Sequence, residues 1–258
     1  MALLEIRGLS ISFGGLTAVR DFDLSLREGQ LLGLIGPNGA GKTTIFNLAC
    51  GFYQPGSGEI TFRGGRTVGR RPHEITALGM ARTFQNIRMW GTLTVLENLC
   101  ISQHGHLGYG FLDSVLWTRK YSVMEGAAVR RAEEILDALE LKDCAGERPG
   151  NLPYGLQRRV EIGRALAARP KLLLLDEPAA GMNPQEISSL IDLIGWIRHH
   201  FNLTVWLIEH QMRVVMSLCE RIKVLDFGET IAEGSPDDIR KNPKVIKAYL
   251  GDEGGSLL

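Results

Sequence analysis

The sequence predicts an α/β fold, in which a parallel-sheet core carries an antiparallel β subdomain and an inserted helical subdomain. Three patterns support this fold. Short apolar runs alternate with helical stretches, the first thirty residues alternate apolar with polar, and helical periodicity dominates residues 88–165. At 258 residues the chain suits one domain with an insertion better than two independent domains.

The antiparallel subdomain is expected at residues 1–30 and 58–66. Apolar and polar side chains alternate in LLEIRGLSISF and AVRDFDLSLREG, as they do in half-buried strands. A further strand, EITFRG, follows the turn sequence QPGSG.

The parallel core is expected from apolar strands that are followed by helical segments. The expected strands are LLGLI, KLLLLD, LTVWLIEH and RIKVLDF, and the expected helices are GKTTIFNLAC, PQEISSLIDLIGWIRHH and QMRVVMSLCE. Runs that are apolar at every position are typical of strands buried on both faces.

The helical subdomain is expected at residues 88–165, where EGAAVRRAEEILDALEL has a helical period. The preceding segment GHLGYGFLDSVLW is expected to be a loop or short helix. The last eight residues, 251–258, are expected to be a frayed tail.

Composition limits the function. Lys plus Arg equals Asp plus Glu at 29 each, so the chain has no excess of basic residues. We therefore expect no nucleic-acid partner. The N-terminus does not resemble a signal peptide, and the longest apolar runs fall short of the roughly 18 residues of a membrane span. We therefore expect any link to a membrane to come through a partner.

Residues 36–44, GPNGAGKTT, fit the phosphate-loop pattern GxxxxGK[ST] and lie between an expected strand and an expected helix. Glycines let backbone N–H groups converge on phosphate, and the helix N-terminus adds partial positive charge. Lys42 is expected to reach the β- and γ-phosphates, and the Thr43 hydroxyl to bind Mg²⁺. The residues expected to hold the nucleotide here are Asn38, Gly39, Ala40, Gly41, Lys42, Thr43 and Thr44.

Two carboxylates follow the buried strand KLLLL. Asp176 emerges at its C-terminal end, where open parallel sheets bind ligands, and is expected to hold Mg²⁺ through water. Glu177 is placed to accept a proton from an attacking water. His210 ends the strand LTVWLIE and is expected at the same sheet edge, within reach of a γ-phosphate.

These motifs, in this order, resemble the ATP-binding subunits of ABC transporters. Besides the phosphate loop and LLLLDE, the resemblance rests on ARTFQN, LPYGL before QRRVEIGRAL, AAGMNP and LIEH, and it spans about residues 3–250. It implies a RecA-like P-loop NTPase core. FGGLTAV, LACGFYQPGSGEI and VIKAYLG are further similar to the LivG-type subunits of branched-chain amino acid importers.

The resemblance also implies individual roles. Phe13 would stack on adenine, and Gln85 would sense Mg²⁺ and the transmembrane partner. Glu177 would be the general base, and His210 the γ-phosphate switch. Gly155 would contact an ATP held by a second ATP-binding subunit, identical or different, in a head-to-tail pair.

The implied assembly places this chain at the cytoplasmic face of the membrane, as a peripheral subunit bound to two transmembrane permeases. An extracytoplasmic binding protein acts indirectly. Met89 and Trp90 are large apolar residues in an expected loop. They either cap the helical subdomain locally or form a socket for a cytoplasmic helix of a permease. Three positions depart from the general signature LSGGQ, namely Pro153, Tyr154 and Leu156.

Other functions remain open on the phosphate loop alone. A kinase or GTPase is disfavoured, because no NKxD motif occurs and an acid directly after Asp176 suits attack by water. An ABC-type switch that is not coupled to transport, and an importer of another small polar substrate, are the remaining alternatives.

Overall fold

The computed structural model of the chain describes residues 2–250 and divides into two compact units. The first unit combines residues up to Ile75 with those from Lys171 onward, and the second is Thr76–Pro170. The stretch expected to be helical, 88–165, falls inside the second unit. The predicted tail, 251–258, lies outside the described residues.

The strands and helices have the following bounds. The strands are β1 Ala2–Phe13, β2 Leu16–Arg27, β3 Leu31–Ile35, β4 Ser57–Phe62, β5 Gly65–Arg66, β6 Met80–Arg82, β7 Leu172–Asp176, β8 Thr204–Ile208, β9 Arg221–Asp226 and β10 Glu229–Gly234. The helices are α1 Lys42–Ala49, α2 Pro72–Ala77, α3 Val95–Ile101, α4 Phe111–Val115, α5 Arg119–Ala138, α6 Tyr154–Ala167, α7 Pro184–His200, α8 Met212–Leu218, α9 Pro236–Lys241 and α10 Pro243–Leu250.

The first unit contains an antiparallel sheet in the order β2-β1-β4-β5. Its strands form where apolar and polar residues alternate, and in β1 the side chains of Leu4, Ile6 and Leu9 are buried. The alternation therefore predicted these strands correctly.

The first unit also contains a sheet in which five strands follow the order β10-β9-β3-β8-β7. The four strands from β9 to β7 are parallel, and β10 pairs antiparallel with β9. Every residue of β3, β7 and β8 is buried, which explains their unbroken apolar runs. The predicted α/β class is confirmed, and β10 is a strand that the sequence analysis did not anticipate.

Helix α1 packs on this sheet through an aromatic pair. Phe46 meets Trp206 of β8 edge to face, with ring centroids 4.8 Å apart, and both side chains are fully buried. This contact holds the middle of α1 against the middle of β8, and the candidate site lies at the loop that precedes α1.

The second unit packs α3, α5 and α6 together. Gly163 of α6 allows the close approach, since a Cβ there would lie 2.9 Å from a methyl carbon of Leu139. Pro153 is the N-cap of α6, with an extended ψ of 149°, and the helix begins at Tyr154. Helix α5, Arg119–Ala138, contains most of the segment EGAAVRRAEEILDALEL, whose helical period the sequence showed.

Across residues 2–250, no helix has both the length and the apolar character needed to cross a bilayer.

Candidate functional site

The phosphate loop, residues 36–44, connects the end of β3 to α1. Gly36 and Gly41 have φ values of 153° and 102°. A Cβ on Gly36 would lie 2.1 Å from the carbonyl oxygen of Leu225, and one on Gly41 would lie 2.5 Å from that of Ala18. Only glycine fits these two positions, because the loop passes so close to neighbouring backbone.

The loop offers backbone donors to a ligand. The first-turn N–H groups of α1 lack intrahelical acceptors, and Gly41 at the N-cap provides no side-chain cap. Asn38, Gly39 and Thr43 are exposed, whereas the side chain of Ala40 is buried. Ala40 has no polar side chain, and its N–H donates to the carbonyl of Pro37 at 3.2 Å within the loop. A helix N-terminus with open donors and an exposed hydroxyl fits a nucleotide phosphate with Mg²⁺.

Lys42 is 6% exposed, and its Nζ donates to two carbonyl oxygens of its own loop, those of Gly36 at 2.7 Å and Pro37 at 2.9 Å. Burial lowers the pKa of Lys42, while the charges of Glu177 and Asp176 oppose that shift. The ammonium group thus stabilises the conformation of the loop, and it interacts electrostatically with Asp176 and Glu177, the two carboxylates that the sequence predicts at the site.

Asp176 and Glu177 occupy the end of β7. Asp176 is 2% exposed, and Glu177 has an N–H that donates to the carbonyl of Ile208 at 2.9 Å. Glu177 adopts a φ of 47°, in the left-handed region that non-glycine residues rarely occupy. Such strain persists where the surrounding structure enforces it, and it concentrates at functional sites.

His210 follows the end of β8 and lies beside Glu177. Its Nδ1 is 3.8 Å from Glu177 Oε2 and 3.8 Å from Glu209 Oε2, beyond ordinary hydrogen-bond length. The imidazole is half-exposed, so it faces the solvent side of the carboxylates. The structure thus brings together the two residues predicted to be catalytic.

Glu209 is a site residue that the sequence analysis missed. It is fully buried, and its carboxylate accepts from the N–H groups of Ala179 at 2.8 Å, His210 at 2.9 Å and Gln211 at 3.0 Å. The Gln211 amide donates to the carbonyl of Ala179 at 3.1 Å. These bonds fix the backbone under His210 to the segment after Glu177. A lone acid at the end of an apolar strand was the available signal.

Phe13 is at the end of β1 and is 45% exposed. It meets Tyr53, which is also exposed, edge to face with ring centroids 5.3 Å apart. Two solvent-facing aromatic rings in contact form a surface on which a flat base can stack. Tyr53 was not singled out from the sequence.

In the second unit, Gln85 and the segment around Gly155 are joined by Arg158, which is fully buried. The Arg158 guanidinium donates to the carbonyl of Phe84 at 2.8 Å and to that of Gln85 at 3.0 Å. It also donates to the Tyr154 hydroxyl at 2.8 Å, in the turn that contains Gly155.

Glu161 completes this connection. Its carboxylate accepts from Arg158 at 2.7 Å and from the N–H of Phe84 at 3.0 Å. Burial raises the pKa of Glu161 against the opposing effects of the Phe84 N–H and Arg158. We call Arg158 and Glu161 the buried ion pair. An arginine and a glutamate three residues apart are common on exposed helix faces, so the sequence did not indicate that this pair is buried.

The loop with Met89 and Trp90 is held by Asn98. Its side-chain oxygen accepts from the Trp90 N–H at 2.9 Å, and its amide donates to the Trp90 carbonyl at 3.1 Å. The Trp90 side chain remains 55% exposed. Its expected role as part of a permease socket stays a prediction.

Comparison with known proteins gives consistent matches. The family described as ABC transporter matches residues 19–180, and that described as branched-chain amino acid ATP-binding cassette transporter matches 229–255. The high-affinity branched-chain amino acid transport ATP-binding protein LivG of Salmonella typhimurium is 45% identical, covering 97% of this chain and 98% of the relative. BraF of Pseudomonas aeruginosa, of the same description, is 46% identical with the same coverage.

Solved structures match over nearly the whole chain. A nucleotide-free ATP-binding cassette from an ABC transporter superposes with a TM-score of 0.85 at 30% identity, covering 98% of this chain and 100% of that one. An ADP conformation of an ABC transporter cassette gives a TM-score of 0.82 at 30% identity, with the same coverage.

Proposed function

The chain belongs to the ABC transporter family of ATP-binding subunits, and from that premise we propose that it is the ATP-hydrolysing motor of an importer for branched-chain amino acids. The observation that carries the proposal is the sheet edge where Lys42, Asp176, Glu177 and His210 converge beside the phosphate loop. The substrate class is supported by relatives such as LivG and BraF, whose names state it.

In the proposed reaction, a water molecule attacks the γ-phosphorus and transfers its proton to the Glu177 carboxylate. A new P–O bond forms as the bond to the β-phosphate oxygen breaks, so ADP and phosphate are released. Lys42 and the first turn of α1 stabilise the charge on the phosphate oxygens. Mg²⁺, when bound, would neutralise phosphate charge and would be held by Thr43 and, through water, Asp176.

His210 is suited to contact the γ-phosphate because the backbone beneath it is fixed. The buried Glu209 accepts the N–H of His210, and it binds Ala179 on the segment after Glu177. We propose that the His210 imidazole contacts the γ-phosphate and so couples its presence to the neighbouring Glu177 carboxylate. We also propose that Phe13 stacks on the adenine, with the Tyr53 ring packed against Phe13 edge to face.

We propose that Gly155 acts on the nucleotide of a second ATP-binding subunit in a head-to-tail dimer. ATP binding would close that dimer at the cytoplasmic face of the membrane and move two transmembrane permeases. Gln85 is suited to join the two events, because Arg158 bonds both its carbonyl and the Tyr154 hydroxyl beside Gly155.

A complementation experiment tests the proposal. A strain that lacks this chain should regain uptake of labelled leucine, isoleucine and valine with the wild-type chain, but not with Glu177→Gln. Permeases and a second cassette should copurify with both versions. Normal uptake of all three amino acids in the deletion strain, together with a defect for a sugar or a metal ion, would refute the substrate assignment.

A further inference from the structure

The second unit carries a cluster of exposed apolar side chains. Within seven residues it presents Phe111, Leu112, Val115, Leu116 and Trp117, each between 56% and 81% exposed. We call these five residues the apolar tip. Single exposed apolar side chains are ordinary, but a contiguous group of this kind marks an interaction surface.

Helix geometry places the tip on one face. At about 100° per residue, the four tip residues at 111, 112, 115 and 116 span an arc of roughly 140°. Asp113 lies on the opposite side and accepts from the Gly110 N–H at 3.0 Å and the Thr118 hydroxyl at 3.0 Å. The polar side of α4 is thus tied to the start of α5, and α4 buries none of its residues.

The tip is supported by a row of aromatic rings. Trp117 meets Tyr121 edge to face at 5.7 Å between ring centroids, and Tyr121 meets Tyr109 at 5.1 Å. The Tyr109 hydroxyl donates to the carboxylate of Glu125 in α5. Tryptophan and tyrosine, with one apolar and one polar end, favour the interface between lipid and water.

Positive charge follows the tip directly. Arg119 and Lys120 are exposed, and the Lys120 ammonium is 4.0 Å from Asp113, the acid within α4. Apolar and aromatic side chains next to basic residues are typical of segments that lie in the surface of an anionic bilayer.

We propose that the apolar tip inserts into the headgroup region of an anionic lipid bilayer. For the presence of a membrane this inference rests on the proposed function. A second copy of the chain is a poorer occupant, because a stable protein interface takes about 20–30 residues a side and the tip offers five. A lipid surface needs no shape-matched partner, and the two basic residues complement its charge.

Vesicle flotation of the purified full chain tests this. The chain should float with vesicles of phosphatidylglycerol mixed with phosphatidylcholine, and far less with phosphatidylcholine alone. Leu112→Asp combined with Leu116→Asp should lower the bound fraction by about tenfold or more, since two leucines leave the apolar phase. The control with the same added charge combines Leu16→Asp with Phe227→Asp in the other unit. These side chains are 74% and 89% exposed, against 71% for each tip leucine, and this control should float like wild type.

Fluorescence provides a second measurement. Brominated phosphatidylglycerol should quench tryptophan emission in the wild type, and Trp117→Phe should remove that quenching while Trp196→Phe, a tryptophan 44% exposed in α7, retains it. The tip leucines are exposed, so both tip variants should melt like wild type.

Three results would overturn the proposal: no flotation of wild type on anionic vesicles, equal flotation of tip and control variants, or a photo-crosslinker at position 112 that labels a permease or a second copy instead of lipid in the assembled complex. ATP hydrolysis and amino acid uptake are measured separately, so failure here leaves the proposed function standing.

Discussion

Replacing Arg158 with methionine should destabilise the second unit strongly. The wild-type guanidinium is fully buried, bonds Glu161 at 2.7 Å and satisfies two carbonyl oxygens, and Glu161 itself is only 4% exposed. Removing one partner of a buried pair leaves an uncompensated charge, which costs about 3–5 kcal/mol. The melting temperature should fall by roughly 6–20 °C.

The matched control is Arg159→Met, the same substitution one residue along α6. Arg159 is 21% exposed, and its partner Glu140 is 78% exposed. A pair so open to solvent contributes about 0–1 kcal/mol. Urea unfolding followed by circular dichroism should therefore separate the two variants by at least about 2 kcal/mol.

The cost of Arg158→Met should depend on the charge of Glu161. Adding Glu161→Gln keeps an acceptor for the Phe84 N–H but removes the charge, so the double variant should recover at least about 1 kcal/mol of the loss. The pKa of Glu161 is raised by burial, so the folded state holds its proton to higher pH than the unfolded state. Its contribution is then most favourable below the unfolded pKa and is lost as pH rises through the folded pKa.

The penalty of Arg158→Met should accordingly shrink in acid, where protonated Glu161 needs no cation. Equal stability of Arg158→Met and Arg159→Met, or a penalty that neither acid nor Glu161→Gln relieves, would refute this account of the buried ion pair.

Three further predictions concern the nucleotide site. Glu177→Gln should keep ATP binding but lower steady-state phosphate release by about 10² or more, and a rate within threefold of wild type would remove Glu177 as the general base. Gly36→Ala should weaken ATP binding, measured by calorimetry, by at least about tenfold, because its Cβ would lie 2.1 Å from a carbonyl oxygen. A Cβ on Gly39 would have no atom within 4 Å, so Gly39→Ala should lose clearly less ATP affinity. Equal losses of affinity in the two variants would contradict the packing argument. Lys42→Ala should weaken ATP binding by the isolated chain, whereas Gly155→Asp should leave it nearly unchanged and abolish ATPase in the assembled complex; a tenfold loss of affinity in isolated Gly155→Asp would exclude action on a partner's nucleotide.

Local pattern was enough to predict much of the fold. Strands β3, β7 and β8 are short and almost entirely apolar, and glycine or acidic residues follow their apolar runs, so their burial on both faces could be inferred directly. The antiparallel strands β1 and β2 show a clear alternation. Strand β10 lacks both signals, because it is an edge strand that leaves much of its surface exposed.

The parts of the candidate site that could be predicted are those that a short contiguous motif specifies. The phosphate loop, Asp176 and Glu177 are contiguous motifs, and their geometry follows from a strand that ends beside a helix N-terminus. Glu209 and Arg158 could not be anticipated in this way. Their roles depend on backbone groups distant in sequence, such as Ala179 for Glu209 and Phe84 for Arg158, and no local pattern encodes those pairings.

The left-handed backbone of Glu177 has a consequence for protein engineering. Glycine adopts a φ near 47° at little cost, whereas glutamate is held there at an expense of order 1–3 kcal/mol. A laboratory selection for thermostability alone would therefore favour glycine or asparagine at this position and would discard the carboxylate. With Glu177 in its proposed role as general base, such variants would bind ATP without hydrolysing it, so a stability screen of this chain should also select for ATP hydrolysis.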